Sequence, residues 1–419
     1  MVMQKIQSGY KQTEVGVIPE EWDVKRLGEI AYVTKLAGFE YSQYFNSYKD
    51  GGDIIVIRGT NITNNRLDLS DVRTIPRSTS NKLPRSRLFA NDLVFAYVGT
   101  IGPVYLIEKN DRYHLGPNTC KIRAENLTVP RYLYFYFTSW LINKEIFEQT
   151  SIGAQPSLSM SKIRKFKIAV PNTIEEQCAI AQVLSDTDAL IESLEKLIEK
   201  KENIKQGAMQ ELLSGKRRLP EFETTQKNYK QTEAGIIPED WNFDKIENLT
   251  TITTGAKNTQ DRVDEGQYPF FVRSQKVERI GTYSFDGEAV LTAGDGVGTG
   301  KVFHYVNGKF DFHQRVYKLS NFDDRLYGYF FYLYFKNNFL KRVMAMTAKS
   351  SVDSVRMEMI ADMFVPLPEK KEQTVIAQVL SDMESEIEAL EQEKNKYKQL
   401  KLGMMQQLLT GRIRLRWKS

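Results

Sequence analysis

Residues 176–186 read EQCAIAQVLSD, and residues 372–382 repeat this stretch as EQTVIAQVLSD. The similarity continues without a gap over 175–219 and 371–415, so that the ending LLSGKRRL of the first copy returns as LLTGRIRL. A duplication of this length is the sequence signature of two equivalent structural units. We therefore treat the chain as two copies of one arrangement and examine what each copy contains.

Each copy of the repeat has the pattern of one long helix. A helix over 174–213 would be about 60 Å long, with Pro171 before it and Gly215 after it as natural boundaries. An amphipathic helix of this length needs a partner, and the second copy supplies one, so we expect an antiparallel two-helix coiled coil. The apolar seam predicted for the first copy consists of Ile180, Val183, Leu190, Leu194, Leu197, Ile204 and Ala208. Residues that interrupt the predicted seam are Thr187, Lys201, Glu386 and Glu393.

A second repeat lies in front of each globular segment. Residues 10–22 read YKQTEVGVIPEEW and residues 229–241 read YKQTEAGIIPEDW, with ten of 13 positions identical. The two repeats have different offsets, 219 and 196 residues, so the segments between them differ in length by 23 residues. The layout is a short entry motif, a variable segment and a long helix, and then the same again. This order predicts a pseudo-twofold internal repeat with a constant scaffold and two dissimilar inserts.

The inserts have the pattern of mixed helix and sheet, which makes the predicted fold class α+β, with two α/β domains joined by the two long helices. Aromatic-rich helices are expected at 131–147 and 325–343, where packing against a sheet is the more common role of aromatic side chains. Strands are expected at 53–62, 92–99, 166–171, 268–274, 289–294 and 315–320. The predicted domains are 1–170, a central helical spacer at 171–219, a second domain at 220–368 and a C-terminal helical spacer at 369–419.

Motifs of catalysis are missing from the sequence. The glycine cluster GDGVGTGK (294–301) lacks the spacing of a phosphate-binding loop and has Val302 where a magnesium-binding hydroxyl belongs, so a tight turn between two strands is the better interpretation. We find no catalytic triad, methyltransferase signature or nuclease carboxylate cluster. The two cysteines, Cys120 and Cys178, are expected to be buried reduced thiols, and with three histidines a structural zinc site is not predicted.

Positive charge is concentrated in the first insert. Residues 23–170 hold 21 Lys and Arg against 13 Asp and Glu, whereas 242–368 hold 16 against 15. The segment RTIPRSTSNKLPRSR (73–87) carries five basic residues and no acidic one, and its polar residues predict an exposed loop. Such a surface favours a polyanion as the ligand, although a merely soluble basic surface has the same composition.

Several polar and basic stretches in both inserts have side chains suited to DNA. Arg and Lys match guanine or phosphate, and Asn and Gln match adenine. Each stretch alone is also typical of a solvated loop, and it is their presence in both inserts that favours binding. The candidate DNA-binding residues are Arg58, Thr60, Asn61, Arg73, Arg77, Lys82, Arg85, Arg87, Gln155 and Ser157 in the first insert, and Lys257, Arg273, Gln275, Lys276, His313, Arg315, Lys349, Ser351 and Arg356 in the second.

The combination of motifs resembles the specificity subunits of type I restriction–modification systems. The resemblance rests on YKxTExGxIPxxW, on the VP pairs at 170–171 and 365–366, on EQxxIAQVLSD, and on the helix ends LLSG and LLTG, and it covers nearly the whole chain. It implies that each insert is a target-recognition domain for one half of a split double-stranded DNA site. It also implies that the paired helices act as a spacer and receive two methyltransferase subunits, which restriction (translocase-nuclease) subunits can join.

The same resemblance implies a subunit that is not an enzyme. S-adenosylmethionine, ATP and magnesium would then belong to the partner subunits, and this chain would hold no cofactor and no metal. Two other interpretations stay open: a DNA methyltransferase or nuclease in its own right, and a sequence-specific DNA-binding scaffold or regulator with no role in restriction–modification. The longest apolar stretch, 132–142, is far short of the roughly 20 residues of a membrane helix. The first residues lack a signal-peptide core, so we expect no membrane association and a cytoplasmic protein.

Overall fold

A computed structural model describes residues 8–45, 51–150, 156–223, 228–346 and 354–415. The chain forms two compact units. Unit 1 comprises Met1–Leu194 with Glu393–Ser419, and unit 2 comprises Glu195–Gln392. Each unit therefore contains one variable segment together with parts of both long helices. The four-part division along the chain stays a prediction, because the compact units group residues by contact rather than by chain order.

The first entry motif and variable segment together form fourteen short strands and six helices within their described residues. The strands are Tyr10–Thr13 (β1), Gly16–Pro19 (β2), Asp23–Arg26 (β3), Ala31–Lys35 (β4), Ile54–Ile57 (β5), Ile62–Thr63 (β6), Arg66–Leu67 (β7), Arg73–Ile75 (β8), Arg87–Leu88 (β9), Asp92–Ala96 (β10), Val104–Leu106 (β11), Tyr113–Leu115 (β12), Thr119–Ala124 (β13) and Lys167–Val170 (β14). The helices are Leu27–Ile30 (α1), Gly38–Tyr44 (α2), Arg77–Lys82 (α3), Pro130–Phe137 (α4), Trp140–Gln149 (α5) and Met160–Arg164 (α6).

The rest of the chain repeats this plan with fewer and longer strands. The first long helix is Ile174–Leu212 (α7). The strands that follow are Tyr229–Thr232 (β15), Gly235–Pro238 (β16), Asn242–Lys245 (β17), Thr251–Thr254 (β18), Tyr268–Phe271 (β19), Glu278–Ile280 (β20), Phe285–Ala293 (β21), Phe303–Phe312 (β22), Val316–Ser320 (β23) and Phe364–Leu367 (β24). The remaining helices are Ile246–Leu249 (α8), Gly328–Met346 (α9), Met357–Ala361 (α10) and the second long helix Lys370–Leu408 (α11).

The central sheets of the two units have a similar strand order but differ in how the strands are divided between sheets. In unit 1 the strand order is β11-β10-β13-β4 in one sheet and β8-β5-β12-β9 in the other, whereas unit 2 has a single sheet ordered β18-β23-β21-β22-β19-β20. Within the described residues, β5 pairs parallel with β12 in unit 1, and β19 pairs parallel with β22 in unit 2. The long hairpin of β21 and β22 in unit 2 thus continues through the region where unit 1 breaks into two sheets.

The aromatic-rich segments pack against the sheets, as expected. Segment 131–147 forms two helices, because the Ser139 hydroxyl accepts a hydrogen bond from the Leu141 N–H and starts α5 separately from α4. Segment 325–343 gives the single helix α9. Their buried aromatic residues are Tyr132, Phe135, Tyr136, Phe137, Phe330, Phe331, Phe335 and Phe339.

Both long helices are 39 residues long and pair antiparallel within each unit. In unit 1, Ile180 packs in one core with Leu408, and Asp188 accepts a hydrogen bond from Lys401 at 2.6 Å. In unit 2, Lys201 donates to Glu386 at 2.8 Å. Two residues that interrupt the predicted seam thus form an ion pair across the helices. The predicted fold class is confirmed.

The predicted seam was wrong in part. Leu190, Leu197 and Ile204 are exposed, whereas Ile191 and Ile198, one position away from two of them, are buried. Apolar residues occur on more than one face of α7, so spacing alone could not identify which stripe meets the partner. For the same reason the expectation that Cys178 is buried was wrong, since this residue is exposed on α7. Cys120 is buried as expected, and its burial raises the pKa of the thiol to about 12.

The repeated motifs meet one another in each unit. In unit 1, the Trp22 indole N–H donates to Glu176 at 3.2 Å, and Arg414 binds the same carboxylate through two nitrogens. In unit 2, the Trp241 indole donates to Glu372 at 3.1 Å. The tryptophan of the entry motif and the glutamate of EQxxIAQVLSD therefore form the same contact in each unit. This shared contact explains why both residues are repeated in the sequence.

The glycine that ends each long helix is required by two features at once. Gly215 has φ +70° and Gly411 has φ +66°, a left-handed backbone conformation that residues with a Cβ atom disfavour. A Cβ atom at either position would lie 2.5 Å from a proline of the entry motif, Pro238 or Pro19. The helix end and the entry motif can approach this closely only because both positions are glycine.

Candidate nucleic-acid interface

Loops at the ends of the central strands gather at the same place in both units, held by equivalent backbone contacts. In unit 1, Val98 forms a bridge with Ser157, and the Tyr97 N–H donates to Asn118 O at 3.0 Å. The loop after β5 belongs to this group, since the ideal Cβ position of Gly59 lies 3.8 Å from the Asn118 Cβ. Side chains of separate loops are therefore presented together.

The same framework in unit 2 carries different side chains. Asp295 forms the bridge with Ser354, and the Gly294 N–H donates to Arg315 O at 2.8 Å. Asp295 and Arg315 thus take the positions that Val98 and Asn118 hold in unit 1. A constant backbone arrangement with dissimilar side chains is suited to two different targets of one chemical class.

Arg58 lies directly after β5 and is held in place on two sides. Its Nε donates to Asn61 Oδ1 at 3.1 Å, and its Nη2 donates to the Asp71 carboxylate at 3.0 Å and backbone oxygen at 2.6 Å. Asn61 is buried, and its amide donates to the backbone oxygen of Asp71 at 2.8 Å. Asn61 therefore positions Arg58 within the loop, while the neighbouring Thr60 is exposed.

The basic segment 73–87 is not the irregular loop that we expected. It forms β8, α3, a short 3-10 turn at Pro84–Ser86 and the first residue of β9. Leu83 and Ser86 are buried. The polar composition suggested a loop, but the buried side chains of Ile75 and Leu83 anchor the segment to the core.

The arginines of this segment reach the surface with acidic neighbours. Arg85 pairs with Glu40 at 3.1 Å and Arg87 pairs with Asp111 at 2.5 Å. Arg73 and Lys82 are exposed. Arg77 is exposed as well and donates to the backbone oxygen of Asp111 at 3.3 Å. The segment therefore offers less net positive charge than its own composition indicates, because carboxylates distant in sequence lie beside it.

A buried lysine fixes the end of the basic segment. Lys121 on β13 is 2% exposed, and its ammonium donates to the backbone oxygens of Arg85 and Arg87 at 2.6 and 2.9 Å. Burial lowers the pKa of Lys121 to about 8. The lysine thus has a positioning role, and it supports the main chain from which the two arginines extend.

In unit 2, two candidate arginines share one carboxylate. Arg273 Nη1 donates to Asp295 Oδ1 at 2.9 Å, and Arg315 Nε lies 3.6 Å from Asp295 Oδ2. His313 is buried, and its Nδ1 accepts a hydrogen bond from the Arg315 N–H at 2.9 Å. Burial and the nearby Arg273 guanidinium lower the pKa of His313, so the imidazole is neutral at pH 7. Lys257 is brought to the same cluster by its bridge with His313.

The remaining candidates lie around these clusters or outside the described residues. Ser157 is exposed in the bridge to Val98, Gln275 and Lys276 are exposed after β19, and Arg356 is exposed at the start of α10. Lys276 pairs with Glu278 at 3.2 Å. Gln155, Lys349 and Ser351 fall outside the described residues. That any of these side chains contacts DNA stays a prediction.

Asp295 is the residue that sequence reasoning missed. The glycine cluster around it was interpreted as a turn between strands, which the structure confirms, since β21 ends at Ala293 and β22 begins at Phe303. The sequence signal that could have identified Asp295 is an acidic side chain in a turn between two strands. Candidate arginines elsewhere in the chain are its possible partners.

The described residues contain neither a candidate membrane span nor a candidate metal cluster. They contain no helix that combines the length and the apolarity needed to cross a membrane. In the same part of the chain, no three His, Cys, Asp or Glu side chains come together in a way that could hold a metal ion.

Comparison with known proteins identifies the family. The model of the type I restriction modification DNA specificity domain matches residues 19–205 and 238–399, once for each repeat. A putative type I restriction enzyme MjaX specificity subunit from Methanocaldococcus jannaschii is 26% identical over 98% of this chain and 98% of its own length. The EcoDI specificity subunit from Escherichia coli is 30% identical over 190 residues, which are 44% of this chain and 41% of that protein.

Solved structures share the fold. A type I restriction–modification S subunit from M. genitalium has a TM-score of 0.61 at 15% identity, covering 97% of this chain and 98% of that chain. A chain from a structure of complex assembly and conformational transition in the type I R-M system has a TM-score of 0.56 at 16% identity, covering 94% and 99%. With the family model matching both repeats and most of the sequence, this chain belongs to the family of type I restriction–modification DNA specificity subunits.

Proposed function

We propose that this chain is a non-catalytic subunit in which each variable segment recognises one half of a bipartite double-stranded DNA site. The observation that carries the proposal is the shared loop framework: Val98 and Asn118 in unit 1 have Asp295 and Arg315 as their equivalents in unit 2. Because the backbone framework of the loops is the same in both units, the side chains proposed to contact bases occupy equivalent positions relative to each unit's core. Unequal side chains would then select different bases.

The long helices are proposed to set the spacer between the half-sites and to receive two methyltransferase subunits. Exposed apolar residues on the helices support a docking role, since Leu197 and Ile204 on α7 and Leu400 and Leu402 on α11 are all more than one-third exposed. Exposed apolar side chains of this kind are available for contact with a protein partner. Restriction subunits would join the same complex where the system includes them.

Catalysis is assigned to the partners. S-adenosylmethionine, ATP and magnesium would be bound by the methyltransferase and restriction subunits, and this chain would contribute the choice of DNA sequence. The proposal places the complex in the cytoplasm, where it meets chromosomal and incoming DNA.

The test is genomic methylation in a host that expresses this chain together with the methyltransferase subunit of its own system. The expected result is one split methylated motif, which is absent when either protein is expressed alone. Exchange of residues 23–165 for the equivalent segment of a relative should change one half of the motif and leave the other intact. Methylation by the purified chain alone would contradict the non-catalytic role, and DNA binding without directed methylation would favour a scaffold or regulator.

A further inference from the structure

The arginine pair around Asp295 differs from the other exposed arginines in how it is held. The side chains of Arg273 and Arg315 are 45% and 65% exposed, and that of Asp295 is 26% exposed. The Nη1 of Arg273 donates to the carboxylate, and the Nε of Arg315 lies 3.6 Å from it. Two positive side chains are thus directed outward from one acidic anchor, with guanidinium edges left toward solvent.

The main chain beneath this cluster is fixed by short hydrogen bonds. Gly294 N–H donates to Arg315 O at 2.8 Å, which ties the residue before Asp295 to the second arginine. The Val355 N–H donates to Gly294 O at 2.7 Å and links a third loop to the same point. Arg315 N–H is held in turn by the buried imidazole of His313. Both the anchor and Arg315 are therefore placed by the backbone before any ligand arrives.

We propose that Asp295 positions Arg273 and Arg315 as a guanine-reading pair, so that the half-site recognised by unit 2 contains at least one G·C pair that these arginines select. The inference rests on the proposed function and refines it. In the major groove guanine presents two adjacent acceptors, N7 and O6, which match the parallel donors of a guanidinium, whereas adenine presents a donor beside its acceptor. An arginine that is held at a fixed angle can exploit this difference.

The carboxylate explains how two arginines can stay close together without a ligand. Two guanidinium groups repel each other, and one shared carboxylate reduces a local charge of two to one. Without the carboxylate the two arginine side chains would move apart and lose their common orientation. The entropic cost of ordering them on DNA would then reduce the affinity. Asp295 is therefore a positioning residue, and the arginines are the reading residues.

Unit 1 has no equivalent of this arrangement among its described residues at the matched positions. Val98 and Asn118 stand where unit 2 has Asp295 and Arg315, and Arg58 is held by Asp71 from another loop. The guanine preference is therefore assigned to the half-site of unit 2 alone. This asymmetry makes each half of the DNA motif an internal control for the other.

The experiment measures the methylated motif of the complex formed with the methyltransferase subunit, using Arg273→Gln, Arg315→Gln and Asp295→Asn. Each arginine variant should relax one G·C position in one half-site by roughly 5- to 150-fold, the range that one bidentate contact provides. Asp295→Asn should relax the same positions by a smaller factor, and Asp295→Glu should recover part of the preference. The matched control is Arg325→Gln, because Arg325 in unit 2 is 54% exposed and also pairs with aspartates, Asp244 and Asp323.

The outcomes separate this inference from the proposed function. Uniform loss of methylation in both arginine variants, with an unchanged motif, would show phosphate contacts and overturn base reading. A unit 2 half-site without a G·C pair, identified by exchange of residues 242–368, would overturn it as well. A wild-type motif that is not split, or one whose halves do not follow the exchanged segments, would instead contradict the proposed function.

Discussion

Arg218 donates two hydrogen bonds to Glu372, at 2.8 and 2.6 Å, across 154 residues of chain. The Glu372 side chain has no exposed surface, and the Trp241 indole also donates to it. A buried carboxylate with three donors is stable only as long as its cation is present. The entry motif, the long helix and the end of the other long helix are thus joined through one acidic group.

Removal of Arg218 should destabilise unit 2 strongly. We expect Arg218→Leu to lower the free energy of unfolding by about 3 kcal/mol, because the carboxylate of Glu372 would stay buried without its cation. Denaturant unfolding measures the effect. The control is Arg217→Leu, since Arg217 is 73% exposed and lies 3.8 Å from its acidic partner. Equal losses in the two variants would show that the joint contributes no special stability.

The basic segment of unit 1 should contribute to DNA affinity unequally. Arg85 and Arg87 already pair with Glu40 and Asp111, whereas Arg73 and Arg77 have no carboxylate partner in the described structure. Arg73→Gln with Arg77→Gln should therefore weaken binding more than Arg85→Gln with Arg87→Gln. The logarithmic salt slope should fall by about 0.9 for each lost phosphate contact. Titration of DNA at several salt concentrations measures this, and equal slopes in wild type and both double variants would place the DNA surface elsewhere.

The buried Lys121 predicts a rise in stability with pH. Its pKa is lowered to about 8 in the folded state, against about 10.4 in the unfolded chain. Below about pH 8 both states are protonated and the cost of the buried charge is fully present. Between the folded and the unfolded pKa of Lys121 only the folded state has lost the lysine proton. The free energy of unfolding should therefore rise in this range by up to about 1.4 kcal/mol per pH unit.

Comparison of Lys121→Met with wild type isolates this effect, since all other titrations are common to both proteins. Between pH 8 and 10 the unfolding free energy of the wild type should rise relative to that of Lys121→Met. The difference between the wild type and Lys109→Met, a substitution at an exposed position, should show no such change. A pH-independent difference between wild type and Lys121→Met would mean that the ammonium keeps its proton throughout.

Local pattern was enough to predict the two long helices, the aromatic-rich helices, a strand in each of six segments and the duplication. Helix α7 begins and ends within one residue of the predicted bounds, and α11 has the same length, because periodicity and terminal glycines are properties of the chain itself. Burial of the aromatic helices followed from their composition for the same reason.

Contacts between distant residues could not be predicted in this way. The helix seam was assigned to Leu190 and Leu197 instead of Ile191 and Ile198, since the partner's position decides which stripe is buried. The acidic partners of Arg85 and Arg87, and the anchoring role of Asp295, depend on residues 20 to 45 positions away. Most of the candidate arginines are exposed, whereas Arg58 and Arg87 are partly buried, and the orientation of each could be found only from the structure.

The last prediction concerns helix length as the determinant of the spacer. Insertion of four residues after Lys196 in α7 and after Gln392 in α11 lengthens both helices equally, since these positions are equivalent in the repeat. Four residues add about 6 Å and rotate the helix by about 40° beyond a full turn. The added length should increase the preferred spacer by roughly one to two base pairs, at 3.4 Å per pair.

The measurement is the methylated motif in cells that express the lengthened chain with its methyltransferase partner. The half-site sequences should stay the same, because the insertion leaves both recognition segments intact. The control carries the insertion in α7 alone, which makes the helices unequal and should reduce stability by displacing pairs such as Lys201 with Glu386. An active double-insertion complex with an unchanged spacer would show that the helices do not set it, and altered half-site bases would instead assign base reading to the helices.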